Sequence, residues 1–179
     1  MEETMLKYQP MELKKTEDIT PEVITSFVSA YSDGELAPTL KYDPEPTSPA
    51  PSDVPVLALN TYTFETVFSE HPDKDILVFF AGPACFNCEA VWPGFERTVR
   101  ALREGSTSLL FAYVDLTYNE LQETAKVYSF PTLRLYPVNP EEPGRRALAL
   151  NYEGQPDYHS FKAFLEENVK GGPIVADPR

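Results

Sequence analysis

A chain of 179 residues is long enough for one domain with a fragment attached. Fifteen Lys and Arg against 28 Asp and Glu leave a net charge of −13, so a surface that neutralises nucleic-acid phosphates is not expected. No stretch approaches the roughly 20 apolar residues of a bilayer helix, and two cysteines are too few for a disulfide scaffold, so packing must hold the fold.

In chain order, Thr20 can cap a helix with Pro21 at its first position and Glu17 and Glu22 near its positive end. Val23, Ile24, Phe27, Val28 and Tyr31 follow at helical spacing, and Asp33-Gly34 stops the helix. From Pro38 to Pro55 the chain holds six prolines and reads as a semi-rigid linker. Residues 1–53 carry 11 acids and 4 bases, so the arm is more acidic per residue than the stretch 54–179.

After the linker, Val54–Leu59 suits a strand and Thr61–Ser69 a helix. Asp75–Ala81 is apolar almost without interruption, as a strand covered on both faces reads. An amphipathic helix is expected over 87–104, a strand over Leu109–Val114, and another helix over Asn119–Tyr128. Strands at Thr132–Tyr136 and Leu148–Tyr152 flank a turn at Asn139–Gly144, and a helix over Phe161–Val169 closes the domain. The order β-α-β-α-β-α-β-β-α predicts an α/β sandwich with a mixed central sheet flanked by helices, preceded by a helical arm.

The chemistry sits at Cys85-Phe86-Asn87-Cys88, where a buried strand gives way to a helix. Free N–H groups and the positive end of the helix favour a thiolate at Cys85. Cys88, one turn in and less exposed, can attack a mixed disulfide held on Cys85. A zinc half-site would need another chain, because His71 and His159 stand at unsuitable spacings. A pair of inert structural cysteines fits the junction poorly, so redox chemistry is the better reading.

Cys85-x-x-Cys88, Pro93 five residues later and Phe130-Pro131-Thr132 before a strand, in this element order, resemble the thioredoxin fold. The resemblance implies a cis-proline loop at Pro131 against the active disulfide and a kink of the active-site helix at Pro93. The arm helix, the run Gly34–Lys41 and the Glu-Pro-x-Ser-Pro linker are similar to the junction between the b′ and a′ domains of protein disulfide isomerases. The likeness spans roughly residues 16 to 169. It implies a remnant of a b′-like domain over 1–37, a linker over 38–55, an a′-type domain over 56–170 and a tail over 171–179.

By the same resemblance the chain is the C-terminal part of a longer protein of the endoplasmic reticulum lumen, although Gly171–Arg179 is not a retrieval signal of the Lys-Asp-Glu-Leu type. The implied activity is thiol–disulfide oxidoreduction and isomerisation of folding proteins, with no cofactor beyond the Cys85–Cys88 couple. Its implied partners are unfolded or partly folded clients and, for redox turnover, glutathione or an oxidase. Cys85 would attack client disulfides and Cys88 release them. Pro131 would shape the site, and the Phe130–Thr132 backbone would pair with an extended client that Phe86 would touch.

Several residues depart from the family's pattern. Ala84 replaces the Trp before the first cysteine, and Ala81 an aromatic; Phe86-Asn87 stands for Gly-His; Glu89 replaces a Lys; Tyr128 replaces an Arg that modulates the second thiol; and Phe79 takes the place of a buried acid that relays protons. Fewer cations and an added carboxylate disfavour the thiolates, which makes a weaker oxidant, and loss of the acid slows proton removal from Cys88. The expectation is a slow, comparatively reducing enzyme. The alternatives are a client-binding module with little redox turnover and, less well supported, a cytosolic thioredoxin-like reductant. Trp92 is assigned to packing in preference to a substrate groove, Arg97, Arg100 and Arg103 to a solvated helix face, and neither histidine has a role.

Overall fold

The computed structural model describes residues 7–9, 18–41, 53–103, 108–122, 125–142 and 144–169, without the side chain of Arg103. The chain divides into two compact units, Met1–Leu40 and Lys41–Arg179. Most of the expected linker and the tail at 171–179 lie outside the described residues.

In the first unit, helix α1 (Pro21–Ser32) starts as the sequence predicts: the Thr20 side chain accepts the Val23 N–H, and Pro21 fills a position whose N–H would be orphaned anyway. Asp33 ends it, and Gly34 turns the chain at φ 72°. No residue of α1 is buried, and Ile24, Val28 and Tyr31 are all more than half exposed. Within this unit, Thr39 donates its N–H to Lys7 O at 2.7 Å, and the Tyr8 and Tyr31 rings meet edge to face at 5.0 Å.

The second unit is built on a five-stranded sheet in the order β1-β3-β2-β4-β5. Strands β1 (Leu57–Leu59), β2 (Asp75–Ala81) and β3 (Leu109–Asp115) run parallel, while β4 (Thr132–Tyr136) and β5 (Leu150–Asn151) join antiparallel, so the sheet is mixed as expected. All seven residues of β2 are buried, because both of its faces are covered. The strand period of two sends Leu77, Phe79 and Ala81 to one side, against Trp92, Phe95, Val99 and Leu102 of α3 (Cys88–Arg103) and Phe161 and Leu165 of α4 (Tyr158–Asn168). It sends Ile76, Val78 and Phe80 to the other side, against Phe64 and Val67 of α2 (Thr61–Glu70). Each of the Val, Leu, Ile and Phe side chains among them contributes roughly 1.5–3 kcal/mol by leaving water.

Two local devices fix the helices. The Asn60 side chain accepts the N–H groups of Tyr62 and Thr63, while Thr63 Oγ1 accepts the Asn60 N–H, a reciprocal cap for α2. At α4, Asp157 accepts the Ser160 N–H at 3.1 Å and its hydroxyl at 2.9 Å, and these bonds hold the Asp157 carboxyl below its usual range. A depressed folded value means that the cap's contribution is complete above the unfolded carboxylate range and is lost as pH falls through the folded value. Asp157→Asn is therefore expected to keep the cap yet flatten the acid limb of the stability profile, measured as urea midpoints between about pH 2 and pH 6.

Several expectations need correction, among them the strand expected over Val54–Leu59, which is confined to Leu57–Leu59. No helix forms over 119–128 among the described residues. The Glu120 N–H goes to Lys41 O at 2.8 Å, Asn119 bridges the Asp115 carbonyl and the Thr61 N–H, and Arg134 takes the Ala125 and Lys126 carbonyls. Backbone groups a helix would use are thus committed to distant partners, leaving one tight turn from Ala125 N–H to Gln122 O. The strand expected over 148–152 shrinks to Leu150–Asn151, and α4 begins at Tyr158 in place of Phe161, where Asp157 caps it. Arg97 and Arg100 stand exposed on α3 as expected; the Arg97 guanidinium also lies 4.9 Å from the Tyr158 ring of α4, and Arg100 pairs with Glu96 at 2.8 Å.

Candidate active site around Cys85 and Cys88

Strand β2 ends at Ala81, whose carbonyl accepts the Leu116 N–H at 2.9 Å, and the chain then turns through Gly82-Pro83-Ala84 to Cys85. The turn needs Gly82: a Cβ there would stand 2.3 Å from the Phe130 ring. Ala84 sits at φ 55°, a left-handed conformation that costs an L-residue roughly 1–2 kcal/mol. Phe86 N–H then bonds Ala84 O at 2.8 Å and Cys88 N–H bonds Cys85 O at 3.2 Å, which folds the segment onto the first turn of α3.

Cys85 and Cys88 are joined by a disulfide, S–S 1.99 Å, with Cα atoms 5.4 Å apart. Both cysteines are half-buried, and Cys88 packs against the core cluster on the α3 side of the sheet. A pocket of about 230 Å³ opens beside Cys88, lined by Phe79, Ala81, Glu89, Trp92, Pro93 and Tyr113. Its floor is aromatic. Phe79 is 1% exposed, stacks on Tyr113 at 6.0 Å and meets Trp92 edge to face at 5.2 Å. The floor follows from register, because Phe79 and Tyr113 are direct neighbours across β2 and β3 on the face that meets α3. Among the described residues no cation lines this pocket, and Glu89 brings a carboxylate to its rim from the first turn of α3.

The remaining predicted residues divide into two groups. Phe130, Pro131 and Thr132 belong to the loop that enters β4: Phe130 lies over Gly82, the Phe130–Pro131 bond is cis, and Thr132 pairs with Phe80 while its hydroxyl bonds Ser129 O at 2.7 Å. This loop therefore borders the turn that carries Cys85. Phe86 stands 89% exposed between the cysteines. Tyr128, by contrast, is 85% exposed, with its ring in solvent.

Sequence reasoning passed over Tyr113 and gave Trp92 to packing alone. Trp92 is indeed buried, but it also walls the pocket beside Cys88. Tyr113 could have been found from strand alternation, which puts residues 109, 111 and 113 on the α3 face, with a hydroxyl on the last. Among the described residues, no three His, Cys, Asp or Glu side chains gather as metal ligands.

Gly82→Val is expected to force the Phe130 ring off the turn and lower stability by about 2 kcal/mol, read as a fall in the urea midpoint.

The chain is similar over nearly its whole length to protein disulfide-isomerases. It is 31% identical over 172 residues to that of Oryctolagus cuniculus, covering 96% of this chain and 31% of the relative. Against that of Gallus gallus it is 29% identical over 177 residues, covering 99% of this chain and 32% of the relative. The chain thus spans about a third of the length of these relatives. Among solved structures, the crystal structure of ERdj5 form II superposes with a TM-score of 0.52 at 18% identity, over 89% of this chain and 18% of that one, which supports the fold. The thioredoxin family profile matches residues 55–167, a span that takes in the sheet, the Cys85–Cys88 pair and the cis-proline loop, and the chain belongs to the thioredoxin family.

Proposed function

We propose that this chain is the redox module of a longer protein of the disulfide-isomerase type, acting on the disulfides of folding proteins in the endoplasmic reticulum lumen. The observation that carries the reading is the half-buried Cys85–Cys88 disulfide at the junction of a buried strand and a helix. That placement lets the helix start stabilise a Cys85 thiolate while Cys88 stays against the core as the resolving thiol. In the proposed cycle, Cys85 attacks a client disulfide or yields its own to a client dithiol, and Cys88 closes the ring to release the client. Phe86 and the Phe130–Thr132 backbone are proposed to hold an extended, apolar client segment. Glutathione or an oxidase would reset the couple. In this reading residues 1–37 are the end of a preceding domain, 38–55 a linker, 56–170 the catalytic unit and 171–179 a tail.

The absence of a cation from the pocket among the described residues and the Glu89 carboxylate at its rim favour a slow and comparatively reducing couple, because neither stabilises a thiolate. They also favour a second reading, a client-holding module in which redox turnover is negligible. Equilibration of the protein with glutathione, followed by thiol trapping, separates the two. The expected result is a reversible Cys85–Cys88 couple more reducing than Cys-Gly-His-Cys sites, with a trapped glutathione adduct accumulating in Cys88→Ser and absent from Cys85→Ser. Thiols that never cycle would overturn the enzyme reading and leave the client-holding one.

A further inference from the structure

Closing the ring on Cys85 requires Cys88 as a thiolate, since the thiol is not the nucleophile. The wall beside Cys88 is mostly apolar and, among the described residues, holds no cation: β2 supplies Phe79 and Ala81, β3 supplies Tyr113, and α3 supplies Trp92 and Pro93. Apart from the cysteine, two side chains of that wall among the described residues can exchange a proton, Tyr113 and Glu89. Tyrosine keeps its proton at neutral pH, with an ordinary value of about 10. Glu89 is exposed, adjoins Cys88 in the first turn of α3 and shares its pocket, whose opening lets water reach both groups.

We propose that Glu89 is the proton acceptor for the Cys88 thiol during release of a client from Cys85. The proposal rests on the thiol–disulfide exchange proposed above. A single water suffices where the groups do not meet directly. The Glu89 carboxylate takes the Cys88 proton, and the Cys88 thiolate attacks Cys85 Sγ. The bond between Cys85 and the client sulfur breaks, its electron pair leaves on the client, and the client thiolate takes a proton from solvent. Glu89 returns its own proton to solvent, and the two electrons that reduce the mixed disulfide come from the cysteine pair, now oxidised to Cys85–Cys88. The base is thereby on the rim of the pocket, with an aromatic floor beneath it.

The test turns on a sign. If Glu89 acted only through its negative charge, it would oppose the Cys88 thiolate, and Glu89→Gln would speed release near neutral pH. As the proton acceptor, its loss slows release. Reduced protein is mixed with oxidised glutathione, and the Cys85–glutathione adduct and its decay are followed by acid quench and mass spectrometry from about pH 6 to pH 9. The expected result for Glu89→Gln is release slowed about 100-fold near neutral pH, the deficit closing at alkaline pH where hydroxide removes the proton, with Glu89→Asp restoring most of the rate. Release in Glu89→Gln as fast as or faster than wild type, or a deficit unchanged at every pH, would overturn the proposal. An adduct that forms normally but decays independently of residue 89 would sink this assignment alone. No adduct on Cys85 would sink the exchange reading with it.

Discussion

Replacing Phe79 by glutamate is expected to destabilise the second unit by about 4 kcal/mol at neutral pH, a large share of a typical domain's stability. Phe79 is 1% exposed and touches the rings of Trp92, Phe95 and Tyr113, so the substitution removes three aromatic contacts and puts a carboxyl where, among the described residues, no cation lines the pocket. Burial raises that carboxyl's folded value above its unfolded one, so the folded state binds the extra proton. Stability then falls as pH rises from the unfolded to the folded value, and the defect is smallest in acid. Urea midpoints at about pH 4.5 and pH 7.5 check this, with Phe79→Leu as the pH-independent control expected to lose only about 1 kcal/mol. Equal losses for Phe79→Glu at both pH values would show that the site is wetter than its packing implies.

Arg146→Met should lower stability by about 3 kcal/mol, although the side chain belongs to no helix or strand. Its guanidinium donates to the carbonyls of Phe68 (3.2 Å), His71 (2.6 Å), Lys74 and Tyr136 (3.3 Å), and it lies 5.2 Å from the centre of the Phe68 ring. These bonds gather the end of α2, the start of β2 and the end of β4. Burial pulls the Arg146 value down, while Asp75 and Asp73 oppose the shift, and it stays charged. Arg146→Lys is expected to recover less than half of the loss, because one ammonium has three donors on a single nitrogen and cannot span four acceptors. Thermal unfolding of the three proteins checks it.

How much of the fold could be read along the chain depends on how local each cause is. The near-continuous apolar run at Asp75–Ala81 and the amphipathic run after Cys85 each carry their own signal, and both elements form where expected. The position of Phe79 against Trp92 follows from period-two alternation once the strand is placed. The segment after Asp115 misled because Leu121 and Ala125, four residues apart and both buried, mimic a helix face. Its conformation is instead set by Lys41, Thr61 and Arg134, tens of residues away for the first two, and no window along the sequence contains them. The Arg146 clamp was invisible for the same reason: an arginine in a loop announces nothing until the four carbonyls converge. The cis bond at Pro131 was accessible only through resemblance, because Phe-Pro by itself fixes neither isomer.

Trp92 is the chain's single tryptophan, and it walls the pocket that Cys88 lines. Its emission therefore reports two unrelated events from one chromophore. Formation or loss of the neighbouring disulfide changes quenching of an indole that remains enclosed, so intensity changes while the wavelength stays put. Unfolding brings the same indole into water and moves the emission to the red. A titration in which intensity and wavelength change together is following loss of the fold, and one in which intensity changes alone is following the couple.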